Sequence, residues 1–378
     1  MPNAIYLDYV SSSPVLPEII ADYQRLLTQY YANSDAIHDL GREIASLVAL
    51  SRTKTAELLD VSARDLFFTS GATESNNAII KGIAFANRSR GNHLITSSVE
   101  HSSVFETFKY LEQNHGFEVT YLDVDKFGQI DLVSLDQSIR PDTTLVSLMA
   151  INNETGAQFP VEAIVECVKG HPHTFLHVDG VQALGKYPLD LSRVDAASFS
   201  AHKIGGLKGS GLMMVKSHVA MDPLLNGGHQ ENGRRAGTLN ALADIVFAKT
   251  LRLSLEHYAA NESRIDRMHR RLIEGLDSFG VVHVNSPEHA SRYILNFSVD
   301  HIPSEILLNA LNQRSIYVSA QSTCSYEANT PSRVLTAMGF DRERALNSVR
   351  VSLSYLTQNQ EIEVFLNALK EIIDYVKH

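Results

Sequence analysis

The sequence predicts an α/β fold: a large domain with a mainly parallel sheet flanked by helices, joined to a smaller α+β domain. Three observations carry this. Between residues 65 and 215, short apolar runs alternate with helical patterns, the order that packs helices on both faces of a parallel sheet. Several of those runs end in polar or small residues, and ligands in such folds gather outside the carboxyl ends of the strands. The chain's 378 residues, 44% of them apolar, also exceed the roughly 250 to 300 that one hydrophobic core accommodates. The boundaries drawn are 15–250 for the large domain, with 1–14 and 251–378 forming the small one.

In chain order, Ile5-Tyr6-Leu7 is a short strand and residues 8–17 a loop punctuated by serines and prolines. Helical patterns cover 18–31 and 44–59, with a turn-rich connection between them. Residues 65–69 form a strand that breaks at Gly71 and enters a helix reaching Phe85. The small residues at its start, Ala72 and Thr73, leave backbone N–H groups free for an anion such as phosphate, and Thr73 adds a hydroxyl. Threonines also cap helices with no ligand present, so this signal is weak alone.

A strand over 93–97 leads to Glu100-His101-Ser102-Ser103, where a histidine suits stacking on a flat ring and proton transfer near neutral pH. Strands follow at 119–122 and 144–149, the second running into Asn152-Asn153-Glu154, where a side-chain amide can reach a phenolic oxygen. The next strand ends in His177-Val178-Asp179, with Gln182 three residues on, and the one after it in Ser200-Ala201-His202-Lys203 before a glycine-rich turn. Taken singly, Lys203 reads as a surface lysine and Asp179 as a helix cap. As an ordered pair with His202 and Gln182 they suit pyridoxal phosphate, which forms a Schiff base with lysine and draws electrons more strongly when a carboxylate holds its ring nitrogen protonated. Thr73, His101, Asn153, Asp179 and Lys203 all follow strand-like runs, so one pocket can collect all five.

A strand at 209–215 precedes a long polar, glycine-rich loop over 227–238, of the kind that is usually functional or mobile. The helical pattern over 241–279 connects the two domains. Beyond it lie strands at 294–298 and 348–353 and helices at 305–313 and 360–376.

A net charge of −10, spread along the chain, points away from nucleic acid and anionic membrane surfaces as direct partners. With no secretory pattern at the start and no apolar run long enough to span a bilayer, the expected location is cytoplasmic. Two cysteines make neither a disulfide framework nor a metal cluster. Cys167 falls on the apolar side of a helical pattern and reads as buried packing. Cys324 lies in a polar run without periodicity, which suggests an exposed loop thiol able to act as a nucleophile.

Taken together, these motifs resemble the cysteine desulfurases of the class V aminotransferase superfamily, fold-type I pyridoxal phosphate enzymes. The matches are Tyr6-Leu7-Asp8-Tyr9, residues 68–77, Glu100-His101, Asn152-Asn153-Glu154, His177-Val178-Asp179 with Gln182, Ser200, His202-Lys203-Ile204, Gly237-Thr238-Leu239, Cys324 with Pro331, and residues 349–353. They span nearly the whole chain in family order. The resemblance implies conversion of L-cysteine to L-alanine, with sulfane sulfur left as a persulfide on Cys324. Lys203 would hold the cofactor and move protons, Asp179 would pair with its ring nitrogen, and His101 would stack on the ring. Gln182 and Asn153 would bond the phenolic oxygen or the substrate region. Ala72, Thr73, Ser200 and His202 would cradle the phosphate, Thr238 would reach in from the second subunit of a homodimer, and Arg350 would clamp the substrate carboxylate. His101 is a candidate to set the protonation of the thiol, and a mobile loop would let the persulfide reach a sulfur-acceptor protein.

Ile204 is followed by Gly205-Gly206-Leu207-Lys208-Gly209 and the thiol is preceded by Ala320-Gln321-Ser322-Thr323, both departures from the family's usual wording. They leave the branch open among iron–sulfur cluster assembly, tRNA thiolation and service to one client. The alternatives are a class V aminotransferase acting on another amino acid, a selenocysteine lyase, and an idle sulfur-assembly scaffold. Lys203, Asp179, Arg350 and Cys324 together argue against the last.

Overall fold

The structure, a computed structural model, describes residues 4–320 and 330–376. The chain opens with β1 (Ile5–Tyr6), α1 (Pro17–Gln29) and α2 (Asp39–Leu59). Pro17 stands at the first turn of α1, where its missing N–H costs nothing. The His38 side chain accepts the Gly41 N–H to start α2, and Asp60 in the left-handed region ends it. The large sheet is then assembled from β2 (Leu66–Thr69), α3 (Ala72–Ala86), β3 (His93–Ser97), α4 (Ser102–His115), β4 (Glu118–Leu122), α5 (Leu132–Ser138), β5 (Thr143–Met149), α6 (Val161–Lys169), β6 (Phe175–Asp179), β7 (Ala196–Ser200) and β8 (Gly211–Val215). The 37-residue α7 (Ala241–Asp277) follows, as the uninterrupted pattern predicts. The remainder comprises β9 (Val282–Val284), β10 (Ile294–Val299), α8 (Ser304–Gln313), β11 (Ile316–Tyr317), α9 (Arg333–Ala337), α10 (Arg342–Leu346), β12 (Ser348–Ser352) and α11 (Asn359–Val376).

Seven strands make the large sheet in the order β2-β8-β7-β6-β5-β3-β4. All run parallel except β8, which is antiparallel to both neighbours. Adjacent residues on the strands feed opposite faces, so continuous apolar runs are required rather than alternating ones. Phe67, Leu94, Leu145, Ala196 and Met213 pack with Ile79, Ile83 and Phe108 of α3 and α4. Phe68, Ile95, Val146, Ala197 and Met214 face Val48 of α2 and Phe247 and Leu251 of α7. Each fully buried side chain such as Phe108 or Leu145 contributes ~1.5–3 kcal/mol.

Register aligns the carboxyl ends of the central strands. Met149 pairs with Asp179 and Asp179 with Ser198, while Gly211 lies between Thr69 and Ser200. A Cβ on Gly211 would come 2.5 Å from the Gly71 Cα, so a glycine is what lets β8 start against the turn before α3. The turn after β2 and the lysine-bearing turn after β7 are thereby neighbours. A three-stranded antiparallel sheet, β12-β10-β9, carries Arg350, and β1 pairs in parallel with β11.

Two details differ from expectation. Cys167 is half-buried rather than buried, with Sγ 3.8 Å from Asp136 Oδ1, and burial and that carboxylate push its thiol pKa up. The polar loop over 227–238 contains a buried anchor, Glu231, which pairs with Arg52 at 2.5 Å and accepts the Phe68 N–H at 2.7 Å.

Candidate active site

The first cluster lies where α3 begins. The first intrahelical bond runs from Ser75 N to Gly71 O, so the N–H groups of Ala72, Thr73 and Glu74 point out of the helix start. The only carboxylate in this turn is turned aside, because Glu74 accepts Ser70 N at 3.0 Å and pairs with Arg235 at 2.9 Å. The Ser200 hydroxyl lies across Gly71, 3.8 Å from where a Cβ on that glycine would stand. Burial lowers the His202 pKa to about 4, with Lys203 adding to the shift, so the imidazole is neutral and holds an N–H. Neutral hydroxyl, imidazole and amide donors around a helix N-terminus suit a phosphate.

The second cluster joins His101 to Asp179. His101 caps α4, its Nδ1 accepting Ser103 N at 3.1 Å and meeting Ser103 Oγ at 2.8 Å. Because a backbone N–H donates to Nδ1, that nitrogen carries no proton and the neutral ring is the Nε2–H tautomer. Ser103 Oγ in turn accepts Asn76 Nδ2 at 2.9 Å, and the same amide nitrogen donates to Asp179 Oδ2 at 2.9 Å. Desolvation lowers the His101 pKa. Lys203, Arg333 and Arg350 act in the same direction, and Asp179 opposes them. Asp179 is buried and accepts from two neutral donors, Asn76 and Val181 N.

The N-terminal segment 8–13 links the other groups. Lys203 Nζ donates to Val10 O at 2.7 Å and Ser11 O at 2.9 Å. Gln182 Nε2 is 3.5 Å from Val10 O, and its Oε1 accepts Lys186 Nζ at 3.3 Å. His202 Nδ1 lies 3.4 Å from Ser12 Oγ. At the far side Arg350, 2% exposed, donates Nη1 to Asn153 O at 2.9 Å and Nη2 to Asp8 Oδ1 at 2.9 Å and Ser11 Oγ at 2.7 Å. Its Nε is buried without a hydrogen-bond partner among the described residues.

A model of the aminotransferase class-V family matches residues 5–365. The chain belongs to this family. Within it, the chain is 37% identical over 379 residues to "Cysteine desulfurase IscS" of Methanosarcina thermophila, covering 100% of this chain and 93% of that protein. A solved structure named "NIFS-LIKE PROTEIN" superposes with a TM-score of 0.93 at 35% identity, covering 99% of this chain and 100% of the other. Another, named "SspA in complex with cysteine", has a TM-score of 0.82 at 30% identity and covers 92% and 98%. Members of this family depend on pyridoxal phosphate, and the residues fit it: neutral donors around a helix start for the phosphate, a buried carboxylate, and a lysine on the turn after β7.

Among the residues read from the sequence, Ala72, Thr73, Ser200, His202 and Lys203 fall at neighbouring turns. His101 is bonded through to Asp179, and Gln182, Asn153 and Arg350 connect through residues 8–13 or directly. Thr238 is not joined to them within this chain; it is exposed, three residues after Arg235. Cys324 lies outside the described residues. Sequence reasoning missed the partners that orient these groups: Asp8, Ser11, Asn76, Ser103, Lys186 and Arg333. Asp8 and Asn76 stood inside quoted motifs, but only the folded contacts give them roles.

Proposed function

We propose that the protein is a cysteine desulfurase, taking L-cysteine to L-alanine and passing the sulfur to Cys324. The carrying observation is that Asp179 at the end of β6 is bonded through Asn76 and Ser103 to His101, while Lys203 after β7 and Arg350 of β12 meet on Ser11. Bound pyridoxal phosphate supplies an electron sink at the substrate's α-carbon. Thr73, Ser200, His202 and the start of α3 would hold its phosphate, Asp179 its ring nitrogen, and Gln182 its phenolic oxygen. Lys203 would attach it and move the α-proton. Arg350 binds the substrate carboxylate, exchanging Asp8 for it, and Asn153 lines the same end. His101, a neutral Nε2–H imidazole, packs on the ring and exchanges protons at Nε2, since Nδ1 is occupied by Ser103. The Cys324 thiolate attacks the substrate sulfur; the new S–S bond forms as the carbon–sulfur bond breaks, and a proton delivered to the remaining carbon completes alanine.

The active form is a homodimer. Ile20 and Leu27 of α1, Tyr31 after it, and Ile37, Leu40 and Leu50 in and before α2 are exposed apolar side chains that a second subunit would cover, and the exposed Thr238 then completes the neighbouring subunit's phosphate site. The protein acts in the cytoplasm and hands sulfur to an acceptor protein; no helix among the described residues is long and apolar enough to cross a membrane. Residues 15–250 form the cofactor-binding domain and residues 1–14 with 251–378 the smaller one. The test is intact-mass analysis after L-cysteine is added without reductant. A gain of one sulfur atom on Cys324, with alanine released, is expected. Alanine absent while a keto acid accumulates favours an aminotransferase instead.

A further inference from the structure

Arg333 opens α9, nine residues after Cys324 in the sequence, and none of the motifs above includes it. Its guanidinium donates through Nη1 to the Ser98 carbonyl and through Nη2 to the Glu100 carbonyl, the two carbonyls that lead into His101. Its carbon centre sits 3.9 Å from the centroid of the Phe105 ring, on the first turns of the helix that His101 caps. It is half-buried, and Glu154, Glu100 and Glu106 lie near enough to favour its charge without an ion pair to it among the described residues. The next residue upstream, Ser332, donates to Glu154 Oε2 at 2.6 Å and caps Leu335 N at 3.1 Å, so this end of α9 is pinned to both strand ends that carry predicted site residues.

A half-buried cation bonded to carbonyls and an aromatic face, with carboxylates near it but none bonded to it, keeps part of its field in a partly desolvated setting. We propose that Arg333 is a positioning residue of this active site: clipped to the two carbonyls before His101 and seated on Phe105 of the helix that His101 caps, it fixes that turn and sets a permanent positive charge beside it. The other groups facing His101 are Asp179 of β6, Lys203 after β7 and Arg350 of β12. Asp179 favours the imidazolium, and the charge on Lys203 would change with its engagement by the cofactor. Arg350 exchanges its Asp8 carboxylate for the substrate's when substrate binds. Arg333 is the cation whose contribution does not change through the reaction, so it holds His101 ready with a proton only on Nε2. Burial lowers the His101 pKa and Arg333 adds to the shift in the same direction.

The inference rests on the desulfurase reading of His101, and its test reads the imidazole directly. NMR titration of His101 is run on the cofactor-loaded enzyme and on the apoprotein, for the parent, Arg333→Met and Arg333→Lys. Arg333→Met is expected to raise the His101 pKa by roughly one unit, because a like charge nearby has been removed. The acidic limb of the sulfide-release profile moves to higher pH with it, while KM for cysteine stays within about twofold, a split that loss of packing would not produce. Arg333→Lys, which keeps the charge and loses the fork, leaves the titration near the parent's. Arg333→Gln is the second neutral variant should the methionine one not fold. An unmoved His101 in a folded neutral variant overturns the proposal and leaves the desulfurase assignment intact, as does an equal rise in Arg333→Lys, which would trace the effect to a displaced turn. A raised His101 pKa in a protein that never released sulfide would reject the reading of the reaction and not that of Arg333.

Discussion

At one end of the cleft, Thr73, Ser200, His202 and the first N–H groups of α3 offer neutral donors set on two turns that β8 brings side by side. At the other end Arg350 is a buried cation already engaged by Asp8, Ser11 and the Asn153 carbonyl. The difference follows from what each end is proposed to hold. A permanently bound phosphate is served by donors whose geometry is fixed and whose charge never needs cancelling. A substrate that arrives and leaves needs a cation, and a buried cation without a carboxylate is costly, so Asp8 neutralises it between turnovers. The lesson is that resident and visiting anions call for different construction in the same site.

The largest effect is expected at the charged end. Arg350→Lys keeps a charge but loses the planar fork, and should raise KM for cysteine about a hundredfold while cofactor binding holds; steady-state kinetics with cofactor absorbance would check both. An unchanged KM would mean the carboxylate binds elsewhere. Next comes the neutral end. Thr73→Val should weaken cofactor affinity about ten- to hundredfold, the worth of one hydrogen bond to a charged group, with kcat of the fully loaded enzyme nearly unchanged. Equilibrium titration of the apoprotein with pyridoxal phosphate measures this. If kcat falls instead and affinity does not, the two ends are not separable. The smallest effect sharpens the contrast. Asp8→Asn should lower KM by a few-fold, because the substrate carboxylate no longer displaces a resident one, and should lower Tm because Arg350 loses its counter-ion. A raised KM would make Asp8 an aid to binding rather than a stand-in.

How much of this was legible in the sequence depended on distance along the chain. The cradle, the lysine and the aspartate sit at strand ends within local motifs, so the pattern of apolar run followed by polar turn exposed them. The antiparallel course of β8 was not legible, since its five residues read as one more buried strand whichever way they run. Nor was the Asp8–Arg350 pair, whose members are 342 residues apart and meet only because β1 and β11 seat the N-terminal segment beside β12. Glu231 was hidden for a related reason: a glycine-rich polar loop gives no periodic sign that one of its carboxylates turns inward onto Arg52. Asn76 and Ser103 occupy motif positions, yet their role as the bridge from Asp179 to His101 depends on α3 and α4 starting side by side.

The most direct test of the central claim compares the purified, cofactor-loaded protein with Cys324→Ala, measuring alanine and sulfide from L-cysteine in the presence of a reductant. The account predicts equimolar alanine and sulfide from the parent, and neither from the variant although both show the bound-cofactor absorbance. Equal activity in the variant would contradict it, because the sulfur would then leave the substrate without passing through that thiol.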